Sequence, residues 1–197
     1  MRGRLAIALL AALVLPGCGH DGASIPRDRL SRLVLQPADL PRGFSSFDEG
    51  KQVRADAHPG PREDPKRFGR VDGWKARYRW VGDRSARRPL VVESRADLFE
   101  DDGGAGEDLD AYREELESPP AGSGLRVTSF EPPKLGDGDA VGFRARQGQL
   151  LFVTIAWRRA NATASVRADG FAGRMKVADA VALARRQARR LDAEASR

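Results

Sequence analysis

Cysteine and histidine are almost missing from this chain: among 197 residues there is one cysteine, Cys18, and two histidines, His20 and His58. A lone thiol forms no internal disulfide, and a zinc site built from His and Cys lacks its ligands. A Ser-His-Asp triad needs a positioned imidazole, and no Gly-x-Ser-x-Gly turn occurs. Long apolar runs are missing too. The longest, Leu5 to Leu15, has eleven residues, whereas a membrane-spanning helix needs about 20. Lysine is scarce, since of 34 Lys and Arg only Lys51, Lys66, Lys75, Lys134 and Lys176 are lysines. Beside abundant Ala and Gly, the arginine excess reads as the bias of a GC-rich genome. It is a weak reason to expect nucleic acid as a partner, and no cofactor motif accompanies it.

What the amino terminus does contain is an address. Arg2 and Arg4 precede the apolar run, and Pro16, Gly17 and Cys18 end it, which is the layout of an export signal. The stretch Leu15-Pro16-Gly17-Cys18 resembles the lipobox of bacterial lipoproteins, with Pro16 standing where a small or hydroxylated residue is usual. An ordinary secretory signal with an incidental cysteine is the alternative. The resemblance implies cleavage before Cys18, a thioether-linked diacylglycerol on its sulfur and often a further acyl chain, such as palmitate, on its amino group. Two acyl chains are enough for stable anchoring. The expected organisation is therefore a signal peptide over 1–17, a lipidated tether over 18–30 and one α+β domain over 31–195, held at the extracytoplasmic face of the cell membrane. Loss of Arg2 and Arg4 with the signal lowers the formal charge from +6 by two, to +4.

After the polar tether, Leu33, Leu35, Leu40 and Phe44 surround a Pro- and Gly-containing turn that leads into a strand near 44–53. The segment 54–72 is rich in Pro, Gly and charge and reads as a long loop. Trp74, Ala76, Tyr78 and Trp80 alternate with Lys75, Arg77 and Arg79, the period of a half-buried strand with a basic outer face. A strand over Leu90 to Ala96 offers Glu93 as a cross-strand partner. Leu109, Tyr112 and Leu116 predict a helix over 106–117. Val141 to Ala145, Leu150 to Trp157 and Ala162 to Val166 predict an antiparallel meander turning near Gly148 and Asn161. Its middle strand lacks a polar face and should be covered on both sides. Val177, Val181, Ala184, Ala188 and Leu191 define a closing amphipathic helix with Arg185, Arg186, Arg189 and Arg190 on the remaining surface.

That order, together with the Pro37-Ala38-Asp39-Leu40-Pro41-Arg42-Gly43-Phe44 turn, the Trp157-Arg158-Arg159-Ala160-Asn161 turn and the helix from Val177 to Leu191, resembles a group of actinobacterial lipoproteins and receptor-kinase sensor domains. The resemblance implies an antiparallel sheet with helices packed on it, a PsbP-like α/β/α sandwich, serving as an extracytoplasmic binding or sensing module. It carries over no catalytic residue.

Candidate chemistry is limited. Glu100, Asp101, Asp102, Glu107, Asp108 and Asp110 surround three glycines in what reads as an acidic loop over 100–110, first a solvated cap for the following helix and only second a calcium ligand set, because EF-hand spacing is absent. Trp74, Tyr78, Trp80 and Trp157 are either core or the lining of an apolar pocket, with core the simpler reading. The arginines of the last helix are either a solvated face or a contact for anionic lipid headgroups. The expected function is a non-enzymatic, lipid-anchored module that binds a small molecule, lipid or envelope protein. An exported hydrolase using carboxylates and a structural envelope scaffold are the alternatives. The only site residue assigned is Cys18, for lipid; no catalytic residue or metal ligand is assigned.

Overall fold

Alternation decides which way each side chain in the central sheet points. The computed structural model describes residues 24–52, 66–83, 85–118 and 124–197. Seven strands form one antiparallel sheet: β1 (Phe44–Lys51), β2 (Arg70–Trp80), β3 (Val91–Phe99), β4 (Arg126–Phe130), β5 (Ala140–Gln147), β6 (Leu150–Arg159) and β7 (Ala162–Phe171). They lie in the order β1-β2-β3-β7-β6-β5-β4. Helices α1 (Asp102–Glu117) and α2 (Val177–Ala195) pack on opposite faces. The chain is thus an α+β fold with helices on an antiparallel sheet, as the sequence predicts.

The α2 face carries the main core. Ala76 and Tyr78 of β2, Val92 and Ala96 of β3, Ala164 and Val166 of β7, and Val153, Ile155 and Trp157 of β6 are all buried there. On α2 itself, Ala180, Leu183, Ala184, Gln187, Ala188 and Leu191 recur at steps of three and four and are buried, which is the stripe a helix needs to lie on a sheet. Strand β6 is covered on both sides, because its alternate residues Thr154 and Ala156 are buried toward α1. Three of the four aromatic residues resolve as core, with Tyr78 and Trp157 buried within it and Trp74 packed against it, while Trp80 lies outside it and makes an edge contact with Phe44.

The amino-terminal segment corrects one boundary. A tether running to residue 30 does not fit, because Ile25 and Leu30 are core residues and residues 27–32 form a 3-10 helix. Asn161, in the turn between β6 and β7, accepts the Ile25 N–H at 2.7 Å and donates to the carbonyls of Ile25 and Phe99. Further on, the Leu35 N–H donates to Ser94 Oγ at 2.9 Å, Ser94 Oγ donates to Gln187 Oε1 at 2.8 Å, and the Tyr78 hydroxyl donates to Leu35 O at 2.6 Å. These bonds satisfy polar groups that burial would otherwise penalise, and they tie the segment to β2, β3 and α2.

Burial, together with the charges of Glu49 and Asp39, pushes the Tyr78 phenol up to about 12. A group whose pKa rises on folding contributes stability that is complete below its unfolded value and is lost as pH climbs through the folded value. Stability is therefore expected to decline between about pH 10 and pH 12. The chain has two tyrosines, so phenolate absorbance of the parent minus that of Tyr78→Phe isolates this group. An early transition near pH 10 in the difference would show that the hydroxyl is not held.

Candidate functional site

Two surfaces of the sheet carry unusual charge. On the α1 face, strands β1, β2, β3 and β7 present a lattice that neutralises itself. Asp48 pairs with Lys75 at 3.1 Å and with Arg77 at 3.5 Å, Glu93 pairs with Arg77 at 3.1 Å and with Arg95 at 2.5 Å, and Asp169 pairs with Arg167 at 2.8 Å. Arg77 and Glu93 are directly opposite in register, the pairing expected from alternation. Burial lifts the Asp169 carboxyl above its ordinary range against the pull of Arg167. Deeper on this face, Arg70 and Asp97 form an ion pair at 2.6 Å with side chains only 6% and 4% exposed, and Arg70 also donates to Gln52 O at 2.8 Å. Gly73 lies beneath it: a Cβ there would fall 2.0 Å from an Arg70 nitrogen and 2.3 Å from Asp97 Oδ1.

The other surface is not neutralised. On the α2 side of the sheet, beyond the amino end of that helix, a groove of about 670 Å³ opens over the ends of β4, β5 and β6. It is lined by Arg126, Arg144 and Arg146 of β4 and β5 and by the apolar Leu151, Met175 and Val177. Register explains the cluster. Arg126 is directly opposite Arg146, and Arg144, two residues earlier on β5, shares the face opposite Thr128. Like charges directly opposite across a sheet destabilise it. Among the described residues, no acidic residue lines the groove, and none of the three guanidiniums is held in an ion pair. The groove is thus concave, carries cationic side chains and borders apolar ones.

The sequence expectations fall on this geometry unevenly. Cys18, His20 and His58 lie outside the described residues, as does most of the long loop before β2. The acidic loop over 100–110 is largely helix: α1 begins at Asp102, four residues before the expected start, and Asp101 caps it by accepting the Gly104 N–H at 2.8 Å. Asp108 is buried and accepts from Thr163 at 2.8 Å, and Asp110 pairs with Arg113 at 2.7 Å. Gly104 permits the close approach of this first turn to the preceding chain, since a Cβ there would sit 2.1 Å from Phe68 O. Among the described residues, no three His, Cys, Asp or Glu side chains converge as a metal site requires.

The arginine row on α2 divides. Arg186 and Arg190 bind the backbone oxygen and carboxylate of Asp39, fixing the Pro37–Asp39 turn, while Arg185 and Arg189 are exposed. Two of the four arginines are therefore structural, and only Arg185 and Arg189 fit the exposed face expected of the row. The groove arginines do not announce themselves in the sequence. Arg144 and Arg146 are legible as the polar face of β5, but β4 carries no strand signature, so nothing in the sequence places Arg126 beside them.

No helix among the described residues is long and apolar enough to cross a membrane. No protein-family model and no curated protein sequence matches the chain. Among solved structures, the chain is similar in fold to the extracellular domain of PknH from Mycobacterium tuberculosis, with 11% sequence identity, a TM-score of 0.60, and coverage of 86% of this chain and 98% of that one.

Proposed function

We propose that this protein is an exported, lipid-anchored, non-enzymatic module that binds a small anionic ligand in the Arg126–Arg144–Arg146 groove, on the extracytoplasmic face of the membrane. The observation that carries the binding role is the cross-strand pairing of Arg126 with Arg146. Such a pair costs stability in the free protein, and an anion that bridges it relieves that cost while gaining charge-assisted hydrogen bonds. The self-neutralised lattice on the other face has no equivalent demand. The signal-like residues 1–17 and Cys18 support the address, and a fold shared with an extracellular domain is consistent with it.

Two measurements test the reading. In a bacterial host fed an alkyne-bearing fatty acid, the chain is expected to label and to sediment with membranes, whereas Cys18→Ser does not label. A labelled Cys18→Ser or an unlabelled parent would reject the anchor. With purified protein, millimolar phosphate is expected to raise Tm saturably, as any ligand specific to the folded state does. Combined Arg126→Gln and Arg146→Gln substitution is expected to remove that rise. A rise that persists in this variant would place the anion elsewhere.

A further inference from the structure

We infer that the ligand of the groove is an anionic amphiphile: a phosphate or carboxylate head held between Arg126 and Arg146, with a hydrocarbon portion lying along Leu151, Met175 and Val177. This rests on the anion-binding reading above and adds the class of molecule. What points to it is the division of the groove itself. Three arginines come from the two outermost strands, β4 and β5, while the apolar lining begins beside them at Leu151 of β6, the register partner of Arg146, and continues with Met175 in the turn after β7 and Val177 in the first turn of α2. A free inorganic anion would use only the arginines. It would leave the partly exposed Leu151 and Val177, beside the buried Met175, facing water, whereas a chain attached to the anion covers them.

The two linings are also independent in construction. Arg126, Arg144 and Arg146 are exposed and stand on the edge strand and its neighbour, so their replacement leaves the core intact. Leu151 and Val177 are partly buried and pack against the main core. A rigid, partly buried apolar wall holds a hydrocarbon without much ordering cost. The space of about 670 Å³ is within the range of small-ligand pockets, so a single molecule is the occupant and not a bilayer surface, which would meet a flat patch.

The test uses the full chain in uncharged lipid nanodiscs and three probes that do not form micelles: inorganic phosphate, hexyl phosphate and hexanol, with binding read by calorimetry. Each buried methylene multiplies affinity about fourfold, so hexyl phosphate is expected to bind at least about tenfold more tightly than inorganic phosphate, and hexanol to bind weakly or not at all. Arg146→Gln is expected to weaken hexyl phosphate about tenfold with Tm equal to or above that of the parent, since a like-charge pair is relieved. Val177→Thr is expected to shrink the advantage of hexyl phosphate over phosphate. Equal affinity for the two phosphates would overturn the amphiphile and leave an anion site standing. Binding of neither would remove both readings. Affinity unchanged in Arg146→Gln would move the site away from the groove.

Discussion

Asp97→Ala is expected to cost about 3–5 kcal/mol of unfolding free energy, the usual effect of removing one partner from a buried ion pair. The pair with Arg70 is almost wholly shielded from water, and the only other contact fixed for the guanidinium among the described residues is its donation to Gln52 O. Without the carboxylate, a charge remains in a site built for neutrality. The local sequence is arranged around this pair: Gly73 is the register partner of Asp97 and, having no side chain, leaves the room the pair fills. Replacing both members, Arg70→Met with Asp97→Leu, is expected to recover most of the loss, because apolar substitutes of similar volume avoid the desolvation of two charges. Urea titration of the three proteins measures this. A loss below about 1 kcal/mol for Asp97→Ala would mean that water or another acid reaches Arg70.

Trp157→Ala should remove a comparable amount, about 3–5 kcal/mol, by leaving a cavity in a rigid interior. Its side chain is fully buried in the main core, on the doubly covered strand β6. The indole N–H has no hydrogen-bond partner among the described residues, so its energetic role is that of volume and surface and not of a bond. Trp157→Phe therefore loses no hydrogen bond and should cost less than half as much as the alanine variant. Equal losses for the two would reveal an acceptor for the indole. Domains of this size have about 5–15 kcal/mol in hand, so the alanine variant is expected to be partly unfolded at moderate temperature, visible as a lowered Tm and a weakened near-ultraviolet signal.

Residues whose environment is set by their own strand or helix are legible in the order of amino acids alone. Tyr78 and Ala76 point into the core because they alternate with charged neighbours, Arg77 meets Glu93 because both lie on outer faces, and α2 is plain from its three- and four-residue steps. Elements set by distant partners are not legible in that way. Strand β4, Arg-Val-Thr-Ser-Phe, has no sustained period-two pattern because it is an edge strand exposed along most of its length, and its pairing with β5 is what makes a cluster of Arg126 and Arg146. The start of α1 is hidden because three glycines look like loop, yet Asp101 caps them and Phe68 O requires at least one of them. Ile25 looks like tether because a single apolar residue in a polar stretch has no period. Only Asn161, 136 positions later, shows where it belongs.

The clasp on Ile25 sets a leash. Six residues lie between it and Cys18, a reach of at most about 25 Å when fully drawn out, so a lipid on that sulfur would keep the Asn161 end of the body beside the bilayer. The groove lies at the opposite end of β6, ten residues long, roughly 30 Å further on. Its mouth would then look outward, toward the wall and the medium, and its cargo would have to arrive from there one molecule at a time instead of sliding in from the leaflet below.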